Sequence, residues 1–125
     1  MMRTGIDIEQ VKHFVNRDKA FLNFVFSAQE LTYCFSKTFP EQHLCGIYCA
    51  KEALFKALSG LIQNLNYTDF TVLHDQFGAP FVTLPPKLGD LRVGLSISHT
   101  SDYAVASVVL YNIPVTPLHD QPHAN

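Results

Sequence analysis

Apolar and polar positions change their spacing twice along this chain, and each change marks a different kind of element. "RTGIDIE" at 3–9 alternates: Ile6 and Ile8 fall on one side, Gly5, Asp7 and Glu9 on the other. That is the period of a short strand, with a carboxylate projecting away from its apolar side. From Val11 the spacing becomes helical, through Phe14 and Val15 and on into an aromatic run that ends near Phe26. "SAQE" at 27–30 has the form of a capping box, which predicts a short helix to about Ser36. Pro40 suits the first turn of a longer helix that runs to Leu58 or Ser59, where Gly60 offers the stop. The second half reads as short strands: "DFTVLHD", "APFVTL", "VGLSISH" and "YAVASVVL". "DQFGAP" and "TSD" are the turns. Helices ahead of a run of strands predict an α+β fold, helices packed on a mainly antiparallel sheet, in a single domain. That domain covers 1–111, and the proline-containing tail 112–125 is expected to be poorly ordered.

The long helix raises the chemical question. Projected at about 100° per residue, residues 41–59 give a bulky stripe of Leu44, Ile47, Tyr48, Leu54, Phe55 and Leu58. A second flank is small: Gly46, Ala50, Ala53 and Ala57. Lys51 falls inside the bulky stripe. Glu52 and Lys56 occupy the narrow sector between, one turn and roughly 6 Å apart, together with Cys45 and Cys49. Two readings stand. A surface Glu–Lys pair would contribute about 0.2–0.5 kcal/mol. A hemmed-in carboxylate needs a partner instead, and then Glu52 suits a hard cation such as Mg²⁺ while Lys56 suits phosphate. Asp7 is either an edge carboxylate or a second ligand, since Mg²⁺ sites commonly use one or two carboxylates with phosphate oxygens. His99, with Thr100 beside it, is either a hydrogen-bonded structural residue or a donor to phosphate or ribose.

Composition narrows the classes. Of 125 residues, 47% are hydrophobic and 16% charged, with a net charge of −2, which lacks the basic footprint of a nucleic-acid binder. No apolar run reaches the ~20 residues of a membrane span, and the first ten residues lack the apolar core of a secretory signal. Three cysteines do not make a disulfide framework, so a reducing cytoplasm is the expected setting. His43, Cys45 and Cys49 lack the paired spacing of a zinc site. Ser98, His99 and Asp102 lie too close in sequence for a triad, and no GxSxG elbow is present.

Taken in order, "GIDIE", "FSAQEL", "YCAKEALFKAL", "FGAP" and "SISHTSDYAVASVVL" resemble the holo-acyl-carrier-protein synthase group of the 4′-phosphopantetheinyl transferase superfamily, over residues 3–111. The resemblance implies transfer of the phosphopantetheine arm of coenzyme A to a serine of an apo acyl carrier protein, leaving adenosine 3′,5′-bisphosphate. It implies Mg²⁺ on Asp7 and Glu52, and catalytic roles for Glu52 and Lys56. It implies coenzyme A contacts at Lys56, Gly60, Pro80, His99 and Thr100, and a homotrimer with sites between subunits. Either Glu52 or a metal-bound water would serve as general base, and Lys51 takes a supporting role. The chain departs from the family at three points. Ile47 stands where an arginine is frequent, one glycine (Gly60) replaces a Gly-Thr-Gly stretch, and the first helical region offers only Lys12, Arg17 and Lys19 with His13. Those departures keep a second reading open: a specialised or non-catalytic homologue that binds coenzyme A or a carrier protein.

Overall fold

The computed structural model describes residues 1–113; the expected disorder of the tail falls almost wholly outside them. The elements are β1 (Arg3–Gln10), α1 (Lys19–Val25), α2 (Ala28–Phe35), α3 (Pro40–Leu58), β2 (Thr71–His74), β3 (Pro80–Thr83), β4 (Arg92–His99) and β5 (Tyr103–Tyr111). β5 is the middle of a three-stranded antiparallel sheet ordered β1-β5-β4, and β2 and β3 form a separate hairpin. α3 packs across the inner face of the three-stranded sheet. The α+β expectation holds.

Local signals account for the boundaries. The helical spacing after Val11 does not yield one continuous helix. It splits into a single 3-10 turn at Val11–Phe14 and, after Asn16 at φ +54°, into α1, which Asp18 caps by accepting from the Phe21 amide. Ser27 and Glu30 form the expected capping box on α2. α3 starts with Pro40 in its first turn and ends at Leu58, and Gly60 takes φ +81° just beyond.

β1 corrects the simple reading of its alternation, because its apolar side is not the side that packs. Ile6 and Ile8 are 62% and 64% exposed, while Gly5 is buried and Asp7 and Glu9 are partly covered. The reason is backbone proximity to α3. A Cβ on Gly5 would sit 1.9 Å from the Ala53 carbonyl oxygen, so only glycine lets the small flank of the helix lie this close. Asp7, two residues on, is thereby brought against the same helix. Gly5→Ala is expected to destabilise the fold by about 3 kcal/mol, the upper part of the usual overpacking range. Urea denaturation measures it, and a loss under 1 kcal/mol would mean that strand and helix separate easily.

Both flanks of α3 are covered. Leu44, Ile47, Leu54 and Leu58 are buried, as are Ala50, Ala53 and Ala57. Lys51 is buried too, at 1% exposure, and is an internal structural cation. Its Nζ donates to Glu30 Oε1 and to the Val25 carbonyl, both at 2.7 Å. Glu30 also accepts from the Ser27 and Val72 amides at 2.8 and 2.7 Å. One carboxylate thus caps α2, neutralises α3 and pins β2.

Candidate functional site

Two polar clusters stand out. The first forms where β1 crosses α3. Lys56 Nζ donates to Asp7 Oδ1 at 3.1 Å and to the Ile6 carbonyl at 2.9 Å. The Lys56 side chain is 56% exposed and that of Asp7 16%. Two of the three ammonium hydrogens are therefore committed, and one faces outward. Glu52, one turn earlier on α3, is half-buried and accepts a hydrogen bond from the Tyr67 hydroxyl.

Tyr67 gave no signal in the sequence. It opens a 3-10 turn (Tyr67–Asp69), in which the side chains of Asn66 and Asp69 cap reciprocally. Its ring is held by Phe24 and Phe55 edge-on, at centroid distances of 5.7 and 5.2 Å, and by Tyr48 stacked at 6.1 Å. Burial and the bond to Glu52 push the Tyr67 phenol up, so it stays a proton donor at neutral pH. Burial pushes Tyr48 up as well, and the charges of both Glu52 and Asp7 add to the effect. Tyr48 therefore lies within the field of both carboxylates, which ties them to one neighbourhood.

As a donor set, two partly covered carboxylates with a free lysine hydrogen alongside suit a hard divalent cation that keeps water or phosphate oxygens on its other positions. Among the described residues no group of three His, Cys, Asp or Glu side chains is arranged to hold an ion, so a cation at this pair would take its other ligands from water or phosphate oxygens. Cys45 and Cys49 spend their thiol hydrogens on the carbonyls of Glu9 and Ala104. All three cysteines are free and buried.

The second cluster lies on the other side of β5. His99, at the end of β4, has its ring 5.2 Å from that of His43 on α3, and Pro80 lines the same depression. Thr100 works in the β4–β5 turn, where its Oγ1 accepts from the Tyr103 and Asp102 amides at 3.1 and 3.2 Å. Gly60 follows the end of α3. Among the predicted site residues, Asp7 bonds Lys56 one turn of α3 from Glu52, and Pro80 and His99 line a separate depression, with strand β5 between β1 and β4. Lys51 belongs to neither.

The arginine and lysines expected to face a partner are few, and one is occupied. Arg17 stacks 3.4 Å above the Phe21 ring and donates to the His13 carbonyl, while His13 pairs with Glu9 at 2.9 Å. No helix among the described residues is long and apolar enough to cross a membrane.

Comparison with known proteins identifies the family and the fold. The family model described as "4′-phosphopantetheinyl transferase superfamily" matches residues 3–108. A holo-[acyl-carrier-protein] synthase of Protochlamydia amoebophila is 37% identical over 110 residues, 83% of this chain and 90% of the relative. One from Chlorobaculum parvum is 37% identical over 114 residues, 87% of this chain and 97% of the relative. Among solved structures, a Chronobacterium ammoniagenes ACPS–CoA complex superposes with a TM-score of 0.76 at 29% identity, covering 89% of this chain and 97% of that one. The Helicobacter pylori holo-[acyl-carrier-protein] synthase in complex with coenzyme A gives 0.75 at 30%, covering 86% and 99%. A family match over most of the length, relatives above 30% identity and a shared fold establish that the chain belongs to the 4′-phosphopantetheinyl transferase superfamily, in its holo-[acyl-carrier-protein] synthase group.

Proposed function

We propose that this chain transfers the 4′-phosphopantetheine group of coenzyme A to a serine of an apo acyl carrier protein in a magnesium-dependent reaction, releasing adenosine 3′,5′-bisphosphate. The observation that carries it is the Asp7–Lys56 ion pair where β1 crosses α3, one helical turn from Glu52, with Tyr48 in the field of both carboxylates. Asp7 and Glu52 would hold Mg²⁺, which when bound supplies positive charge against the diphosphate oxygens. The remaining work falls to the chain. Lys56 turns its free ammonium hydrogen to the phosphates and offsets charge that develops as the bond to the leaving bisphosphate breaks. Asp7 holds that ammonium in place. Among the described residues, Glu52 is the carboxylate of the pair with no cationic side chain bonded to it. Glu52 is the chain's own candidate to take the serine proton. Tyr67, caged by three rings, fixes the direction of Glu52.

The reading extends to assembly as a homotrimer. The outer face of the sheet carries Ile6, Ile8, Tyr103, Val109 and Tyr111, all exposed, and an apolar sheet face of this kind favours association. Association would also supply His99 and Pro80 of one subunit to the carboxylates of another, which one chain keeps apart. Ile8→Lys is expected to convert trimers to monomers in sedimentation and to cost at least tenfold in transfer; an unchanged trimer removes this face as the contact.

Mass spectrometry of apo carrier proteins after incubation with coenzyme A and Mg²⁺ tests the reaction. A gain of about 340 Da on the carrier serine, the mass of one transferred phosphopantetheine group, is the expected result. Absence of that gain with every carrier of the source organism, alongside coenzyme A binding, would instead support a non-catalytic binder. The buried, uncharged Ile47 beside the second cluster is the observation that favours this alternative.

A further inference from the structure

Asp7 and Glu52 each commit one carboxylate oxygen to a donor from elsewhere in the chain. Asp7 Oδ1 accepts from Lys56 Nζ, which is itself fixed by the Ile6 carbonyl. Glu52 Oε1 accepts from the Tyr67 hydroxyl. Each carboxylate is thereby turned, and its second oxygen is the one it has to offer. The two donors differ in kind. Lys56 is a flexible side chain, largely exposed, and can swing. Tyr67 is anchored.

The anchor runs back into the core. The turn that carries Tyr67 is closed by the Phe70 amide, which donates to the Tyr67 carbonyl, and by the Asn66 amide, which donates to Asp69 Oδ2 at 2.7 Å. Phe70 is fully buried and meets Phe55 edge-on at 5.7 Å, and Phe55 in turn meets the Tyr67 ring. Phe24 and Tyr48 close the other sides of that ring. Tyr48 also brings a second hydroxyl beside Glu52. A phenol held this way cannot follow Glu52 if the carboxylate rotates. Glu52 therefore presents both oxygens together only by giving up the bond to Tyr67.

Divalent ions differ in what they ask of such a pair. Ca²⁺ takes about six to eight oxygens and readily uses both oxygens of one carboxylate, whereas Mg²⁺ takes a near-octahedral shell and keeps several waters. A carboxylate with one oxygen held serves Mg²⁺ and starves Ca²⁺. We propose that Tyr67 is a positioning residue that sets cation choice: by holding Glu52 Oε1 it makes the site favour Mg²⁺ over Ca²⁺. This inference rests on the cation pair proposed above and adds to it a selectivity that two carboxylates alone do not carry. Tyr67→Phe keeps the ring in its cage and frees the oxygen. Mg²⁺ then loses an oriented ligand, at a cost of about 10- to 100-fold in affinity. Ca²⁺ gains access to both oxygens, so its affinity stays level or rises.

Mn²⁺ is the reporter, because it takes the same oxygen ligands and its free ion is read by electron paramagnetic resonance. The full chain is loaded with Mn²⁺ and titrated with Mg²⁺ or with Ca²⁺. The parent is expected to release Mn²⁺ at a lower concentration of Mg²⁺ than of Ca²⁺. In Tyr67→Phe that preference is expected to fall by about tenfold or more, and in Tyr48→Phe, which removes the neighbouring hydroxyl, to stay as in the parent. General loosening of the site weakens both ions alike, so an equal loss for Mg²⁺ and Ca²⁺ in Tyr67→Phe overturns the proposal, as does an unchanged preference. An equal fall in Tyr48→Phe overturns the assignment to Tyr67. A parent that yields to Ca²⁺ as readily as to Mg²⁺ overturns the selectivity itself, and one that binds none of the three ions overturns it together with the carboxylate pair beneath it. Carrier modification alongside an unmoved preference leaves the transferase reading intact. A preference that falls as expected in a chain that modifies no carrier keeps the role of Tyr67 and overturns the transferase.

Discussion

Glu52→Ala is expected to abolish phosphopantetheine transfer, by 10³-fold or more, while the chain stays folded. The magnitude follows from what the residue would supply. A carboxylate that holds a catalytic cation and aims it at a developing charge contributes on the scale of about 3–4 kcal/mol or more, as single electrostatic groups at active sites do. The stability cost is small for a separate reason. Glu52 is half-buried outside the core and accepts its hydrogen bond from Tyr67, so truncation removes about one hydrogen bond, near 1 kcal/mol. Carrier modification followed by mass spectrometry reads the first effect and thermal unfolding the second. Tyr67→Phe should fall between parent and Glu52→Ala. It keeps the aromatic cage and loses only the hydroxyl, which predicts about 10- to 100-fold weaker Mg²⁺ affinity and the same stability loss of about 1 kcal/mol, since the same hydrogen bond goes. Transfer within tenfold of the parent in Glu52→Ala would refute the assignment of this carboxylate.

The second large effect concerns the neighbouring residue and has the opposite character. Lys51→Met is expected to destabilise the fold by about 3–5 kcal/mol, because it leaves the Glu30 carboxylate buried without its cation. Against a total of roughly 5–15 kcal/mol for a domain of this size, the chain would be near its unfolding threshold at room temperature. The Glu30 carboxylate has 0% exposure and its remaining partners are two amides, so water cannot take the place of the ammonium. Lys51→Met/Glu30→Gln should recover part of the loss, since the amide carries no charge to strand. Lys56→Met, five positions along the same helix, should cost under 1 kcal/mol, as exposed ion pairs do, and should instead impair transfer. Urea midpoints of the three variants distinguish these outcomes. Equal losses for Lys51→Met and Lys56→Met would mean that burial does not separate the two lysines.

Adjacent letters in "AKEA" thus take unrelated jobs, and the helical projection already sorted them. At 100° per residue, position 51 points into the bulky stripe and position 52 into the narrow sector between the flanks. What the projection lacked was the partner. Glu30 was legible as a capping residue through "SAQE", but its hold on Lys51 and on the Val72 amide joins elements 21 and 42 residues away. β1 shows the same limit. Its period of two was plain, yet the sign of its faces was set by Gly5 meeting Ala53, a contact that hydrophobicity does not encode. Tyr67 had no local pattern at all. Its place arises because α1, α3 and the turn ahead of β2 converge.

By itself the sequence determined the elements, their caps and turns, the α+β class, the placing of Lys51 inward and the pairing of Glu52 with Lys56 on one helix sector. These depend on interactions within about four residues or on a fixed helical or strand period, and such short-range geometry is written in order along the chain. Only the tertiary structure decided which strand face meets α3, that Asp7 bonds Lys56 one turn from Glu52, that Glu30 neutralises Lys51, and that Tyr67 reaches Glu52. Those contacts depend on how closely two backbones approach and at what register, and both are settled by packing between segments distant in sequence.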